Sequence, residues 1–290
     1  IQKTSATRAF DDAARKTWAN VPLAEVARPG IQLKDLADSQ RVVLHRLLRT
    51  VLSQQGYQKI LFIIQYDEAT HERLGKANSP IANFYGNQNY CFTIFGTPQE
   101  GKTWAWKFEG HHISLNITYS SKGVTCTPMF VGINPALITT GPYAGNHLLF
   151  EENEFGNQLF NSFSDQLKEK AIVSPHPKNA DVMTQIGKEA HLNDRKGVSY
   201  KEMNVKQQIL VEKIIRAWVE NLNPSLAKEK INRILKHKKE LLFTWQGTQN
   251  SNDLHYYSLQ SPTFIIELTN RDGGLYHYHT LWRDLGEDFK

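Results

Sequence analysis

Among its 290 residues the chain has only two cysteines, Cys91 and Cys126. No disulfide framework or four-thiolate zinc site can therefore organise the fold. Both cysteines lie in segments that read as strands, and buried free thiols are the expectation; a bridge would need neighbouring strands in matching register. Long apolar runs are missing too: the best, ILFII at 60–64, is far short of the ~20 residues of a membrane helix. There is no Gly-x-Ser-x-Gly elbow, no P-loop and no Gly-x-Gly-x-x-Gly, which removes the usual serine-hydrolase and nucleotide-binding readings. Strong charge bias is absent as well, with 34 Lys and Arg against 29 Asp and Glu, a net +5. The one dense basic run, KEKINRILKHKKE at 228–240, carries Ile231, Ile234 and Leu235 at helical spacing, so its lysines read as the solvated face of an amphipathic helix. Nucleic acid is not an expected partner.

What is present is an ordinary globular composition, 40% hydrophobic and 22% charged, in a chain long enough to bury a core unaided. It begins at Ile1 rather than methionine, as a precursor trimmed of a secretory signal would, and the expectation is a secreted or periplasmic protein; a cloned fragment would look the same. The first eighty residues read as helical: TRAFDDAARKTWANV, then DSQRVVLHRLLRTVLS with Val42, Val43, Leu47 and Val51 on one face, then YDEATHERLG. From 87 to 132 aromatics, β-branched residues and turn signals take over, in three or four antiparallel strands. A long helix over LLFEENEFGNQLFNSFSDQLKEKA follows, then a polar loop at 174–198 containing His176 and His191. Two more helices come next; the first carries Val205, Ile209, Ile215 and Trp218 on or near one stripe, and Pro224 opens the second. The tail returns to strands over about 241–283, with NRDGG as a hairpin signal. Hairpin-linked strand blocks separated by helices predict an α+β fold: a mainly antiparallel sheet from residues ~87–132 and ~241–283, packed with N-terminal and central helices. The reading is one domain, 1–290, with a helical excursion at about 148–240.

Histidines carry the functional signal. In HYH, His277 and His279 share one face of a strand about 7 Å apart, close enough to close on one ion, while Tyr276, Tyr278 and Trp282 read as the core stripe behind them. In WKFEGHHISLN, read as one strand, His111 lines up with Ile113 and Leu115, and His112 with Ser114 and Asn116. Gly110 permits a bulge that would turn both rings to one site. Three or four imidazoles suit zinc or copper; two with a carboxylate suit non-haem iron. Glu109 and Glu267 are candidates for ligation, ring orientation or general base work. Arg283, on the strand face of His277 and His279, can grip an anionic group, and Asp284 lies beside it. His147 and His255 read as structural.

The blocks YCFTIFGTP, WAWKFEGHHISLN, TPMFVGINPA, GPYAGNHLLFEE and SPTFIIEL…HYHTLWRDLGEDF resemble the domain-of-unknown-function 3500 family from about residue 40 onward. The resemblance implies a single-domain, often exported bacterial protein, and places Gly110, His111, His112, Ser114, Leu115, Asn116, His277, His279, Arg283 and Asp284 in the shared motifs. It names no activity.

The expected function is a metal-dependent enzyme, hydrolase or oxidoreductase. His111, His112, His277 and His279 are the candidate metal ligands. Glu109, Glu267 and Arg283 are the candidate catalytic groups, and Ser114, Asn116 and Asp284 are candidates for binding a small-molecule or carbohydrate substrate. The cofactor is a divalent transition metal, zinc or copper ahead of iron. The alternatives are a metal-free histidine-based hydrolase and a secreted carbohydrate- or small-molecule-binding protein presenting Trp104, Trp106, Trp245 and Trp282.

Overall fold

A computed structural model describes residues 2–177, 181–185, 196–271, 273–274 and 276–290. The expected α+β class is what it contains, divided into two compact units: residues 1–131 with 287–290, and residues 132–286.

The first unit opens with α1 (Gln2–Ala6), β1 (Thr7–Arg8) and β2 (Ile31–Gln32), followed by α2 (Asp38–Val51) and α3 (Gln54–Lys76). Its sheet strands are β3 (Cys91–Phe95), β4 (Trp104–Gly110), β5 (Ile113–Ser120), β6 (Gly123–Thr125) and the start of β7 (Met129–Ile133). The path is β1-β3-β4-β5-β7, with β2 on β3 and β6 on β5; the β1–β3 pair is parallel and the others are antiparallel. One sheet face is apolar, with Trp106, Phe108, Leu115 and Ile117 buried, and Phe108 lines one cavity with Leu44 and Leu48 of α2 and Ile64 of α3. The opposite face is polar yet equally buried: Thr93, Lys107, Glu109, Ser114, Asn116 and Thr118. Its cover is the irregular segment 10–30. Lys107 Nζ donates to the carbonyls of Ala14 and Thr17, Trp18 stacks on Phe130, and Thr93 Oγ1 donates to Pro29 O.

That cover corrects the helix expected over TRAFDDAARKTWANV. Only Ala13–Lys16 turns, as a single 3₁₀ element capped by Asp12. Arg15 donates to the carbonyls of Phe10 and Phe289, so the segment is shaped by tertiary bonds rather than by its own periodicity. The same residues 287–290 close the unit, with Phe289 N–H donating to Thr127 O and Thr125 Oγ1 to Lys290 O. On α2 the buried stripe is Leu44, Leu48 and Val51, while Val42 and Val43 are exposed.

The second unit holds α4 (Phe150–Asn161), α5 (Asp165–Ala171), β8 (Ile172–Ser174), β9 (Val198–Ser199), α6 (Val205–Val219) and α7 (Pro224–Lys236). Then come β10 (Leu242–Gln246), β11 (Tyr256–Ser261), β12 (Phe264–Asn270) and β13 (Tyr278–Asp284). The long helix expected at 148–171 is broken at 162–164, where Ser164 caps α5. α7 starts as expected, with Pro224 in its first turn and Asn223 as N-cap. Val205 and Ile209, expected on the stripe of α6, are exposed; Val211, Ile214, Ile215 and Trp218 are the buried set. The strands run β13-β12-β11-β10-β8, with β9 on β10. Phe243, Trp245, Tyr257, Leu259, Ile266 and Leu268 form the apolar face. Phe160 of α4 stacks on Trp245 at 4.1 Å, and Trp218 of α6 meets Tyr257 edge-on.

The strands of the second unit too have a buried polar face. Thr244, Gln246, Tyr256, Ser258, Gln260, Glu267, Thr269, His279 and Arg283 share it by register and are all buried. Segment 181–184 covers part of it. Both units thus use one plan, strands with helices on their apolar face and irregular chain on their polar one. Cys91 and Cys126 are buried free thiols. No helix among the described residues is long and apolar enough to cross a membrane.

Histidine 255 shows what this burial means for acid stability. Its ring nitrogens meet Asp253 O at 3.0 Å and Asn153 Oδ1 at 3.1 Å, and burial pushes the imidazole down from 6.5 to about 4, against the pull of backbone carbonyls. The unfolded chain therefore binds the proton first. The stabilising contribution of neutral His255 is complete above pH 6.5 and is lost as pH falls towards 4, about 3 kcal/mol in all. Urea midpoints measured across that window are expected to fall in the native protein and to fall less in His255→Gln.

Candidate metal centre

In the first unit His111 and His112 are not on a strand but form the two-residue link between Gly110 and Ile113, which pair with each other. This corrects the strand reading. A tight link requires an unusual backbone, and His112 supplies it with φ of 63°, a left-handed conformation that non-glycine residues rarely take. Its N–H donates to Asn20 O. The ring of His112, buried, stacks on His111 with centroids 3.8 Å apart. His111 in turn holds Asp67 of α3 through Nδ1, 2.9 Å from Oδ1. Tyr90 lies against both, its hydroxyl 3.3 Å from Asp67 Oδ2 and 3.1 Å from His111 O.

Gly110 does not form the expected bulge. It pairs regularly, and its glycine identity is explained by Tyr90: a Cβ at 110 would lie 2.2 Å from Cδ1 of that ring. Gly110→Ala is expected to cost about 1–3 kcal/mol through overpacking, read as a lower urea midpoint with an unchanged slope.

In the second unit His279 is on β13 and His277 immediately precedes that strand. Their rings lie edge to face with centroids 4.6 Å apart, as the same-face spacing predicts, and they make a histidine pair able to take part in holding a metal ion. Tyr278 and Trp282 are core residues behind them, as expected, whereas Tyr276 is 65% exposed. Asn134 Nδ2 is 3.4 Å from His277 Nδ1. His279 Nδ1 is 2.7 Å from Asp181 Oδ1, so the atom this ring offers a ligand is Nε2. Burial pushes the Asp181 carboxyl up, but its bond and charge interaction with His279, the Val182 N–H and Arg271 outweigh that and hold it at about 2. A carboxylate fixed on Nδ1 sets tautomer and ring plane, the arrangement that orients histidines in metal sites. Asp181 was not singled out in the sequence, since 98 residues separate it from His279 and the polar loop around it has no period.

The other candidates have defined partners. Glu109 is ion-paired with Lys107 at 2.9 Å, both about fully buried at 1% and 2% exposure, and accepts from Ser114. Asn116 donates to Ser114 Oγ and Pro128 O. Glu267 accepts from Tyr256 Oη, the N–H groups of Met183 and Thr184, and Thr184 Oγ1; burial raises its pKa against those bonds. Arg283 donates to Thr184 O at 2.8 Å. Glu267 and Arg283 thus pin Met183 and Thr184, next to the Asp181 that holds His279. Asp284 faces the other way and pairs with Arg233 of α7. His147 packs against Phe150 and Tyr278, and Tyr278 occupies the strand face opposite His279. Trp106, Trp245 and Trp282 are core residues; Trp104 stacks on Tyr119 at 4.5 Å. His176 is exposed, and His191 lies outside the described residues.

Fold and side chains together define an α+β protein with carboxylate-braced histidines suited to metal ligation. By sequence the chain belongs to the protein family of unknown function DUF3500, whose model matches residues 1–290. Comparison with curated proteins and with solved structures gave no match.

Proposed function

We propose that the protein is a metal-dependent enzyme, with His277 and His279 of the second unit taking part in holding a divalent ion and His112 of the first unit a further candidate ligand. The observation that carries this reading is the bracing of the donors: His279 by Asp181, and His112 by the stacked His111, itself held on Asp67. Histidines that merely fill a core do not need a carboxylate behind them, whereas metal ligands regularly have one. An all-imidazole donor set suits zinc or copper ahead of iron. A histidine pair leaves coordination positions open to water or substrate, the condition for catalysis rather than a closed structural site. A bound ion of this kind polarises a substrate oxygen or lowers the pKa of a bound water. On this reading Glu267 and Arg283 are positioning residues that fix the Asp181 segment, and Glu109 is structural.

The experiment is elemental analysis of untagged protein, followed by calorimetric titration of zinc and copper into chelator-treated protein. Near one equivalent with sub-micromolar affinity supports the proposal. Millimolar affinity for both metals ends it, and leaves the Asp181–His279 pair as a carboxylate-oriented imidazole base acting without metal.

A further inference from the structure

The first unit contains a cavity of about 180 Å³ that no part of the metal reading uses. It sits where α2 and α3 meet the sheet, walled by Leu33, Leu44, Leu48, Leu61, Ile64 and Phe108. Close-packed interiors leave few voids larger than a water molecule, and a 150 Å³ apolar cavity is already large enough to hold benzene. Six of the ten lining residues are apolar and give water no partners, so the occupant that fits has an apolar body.

The polar part of the lining is specific in sign. Arg41, His45, Gln65 and Asn87 border the cavity, and Arg41 is the formally charged side chain among them. The Arg41 guanidinium is held in place, with Nε on Leu36 O and Nη2 on Gln88 Oε1; among the described residues its Nη1 makes no hydrogen bond. Arg49 is fixed over the Tyr57 ring at 4.1 Å, and His45 Nδ1 meets the Tyr57 hydroxyl at 3.1 Å. Burial first, then the Arg49 and Arg41 charges, push the His45 imidazole down.

We propose that this cavity binds a small monocarboxylic acid whose apolar body has about six to eight carbons. The body lies against the leucines and the carboxylate on the Arg41 guanidinium. A planar guanidinium with donors to spare matches a carboxylate, and a neutral alcohol of the same length would gain nothing from it. The proposal is independent of any metal.

The test is calorimetric titration of hexanoate and of 1-hexanol into the full chain. Saturable one-to-one binding of hexanoate is expected, weakened at least about ten-fold in Arg41→Gln, with hexanol affinity unchanged by that substitution. Ile64→Phe, which fills the cavity, is expected to abolish binding of both while the far-ultraviolet circular dichroism stays native; Leu61→Phe serves if Ile64→Phe does not fold. No saturable hexanoate binding up to about 10 mM overturns the proposal. Hexanoate binding that survives the filled cavity, or an equal loss of hexanol in Arg41→Gln, overturns it as well.

Discussion

With His277 and His279 both changed to alanine, chelator-treated protein is expected to retain less than about a tenth of an equivalent of zinc after dialysis. The double variant should still fold, because the strand beneath is anchored by Tyr278 and Trp282 and by seven register pairs with β12. His112→Ala is the sharper arm. A loss of affinity comparable to that of His279→Ala identifies His112 as a direct ligand. His111→Ala and Asp181→Asn act one step away and are expected to cost about 10–100-fold. Affinity should also fall as pH drops below about 6.5, where free imidazoles take protons in competition with the metal. Should the His277→Ala/His279→Ala double variant bind as tightly as the native chain, the metal reading is wrong.

The second large effect is on stability. Lys107→Met and Glu109→Gln should each destabilise the protein by about 3–5 kcal/mol, because each leaves an opposite charge buried without its counter-ion. Lys107 carries additional weight, since its ammonium also satisfies carbonyls of the covering segment. Replacing the pair together, Lys107→Met with Glu109→Leu, should recover most of that loss, since two well-packed apolar groups avoid the desolvation of both ions. Urea unfolding measures all three. Single variants within about 1 kcal/mol of the native chain would contradict the buried pair; a stable but inactive Glu109→Gln would restore Glu109 to catalysis.

How much of this could be read from the chain follows from the range of the interactions. The α+β class and the positions of α7 and β10–β13 rest on local period, capping and turn residues, all visible in sequence. The His277–His279 pair was visible for the same reason, two residues on one strand face. The spacing of Lys107 and Glu109 was equally local, and same-face opposite charges in an otherwise apolar strand would have flagged a buried pair instead of a catalytic base. The turn at His111–His112 was hidden because histidine is an uncommon residue at positive φ. The irregular course of residues 10–30 was hidden because its bonds reach partners as distant as Phe289. Asp181 has no local mark at all; only its distance to His279 identifies it.

The part played by residues 287–290 bears on how the molecule is made. At the pace of translation a ribosome builds the whole of 132–286 before those four residues exist, so the earlier half of the polypeptide waits, lacking the acceptors that Arg15 and Thr125 use. A nascent chain stopped at 286 would leave that half open to proteases.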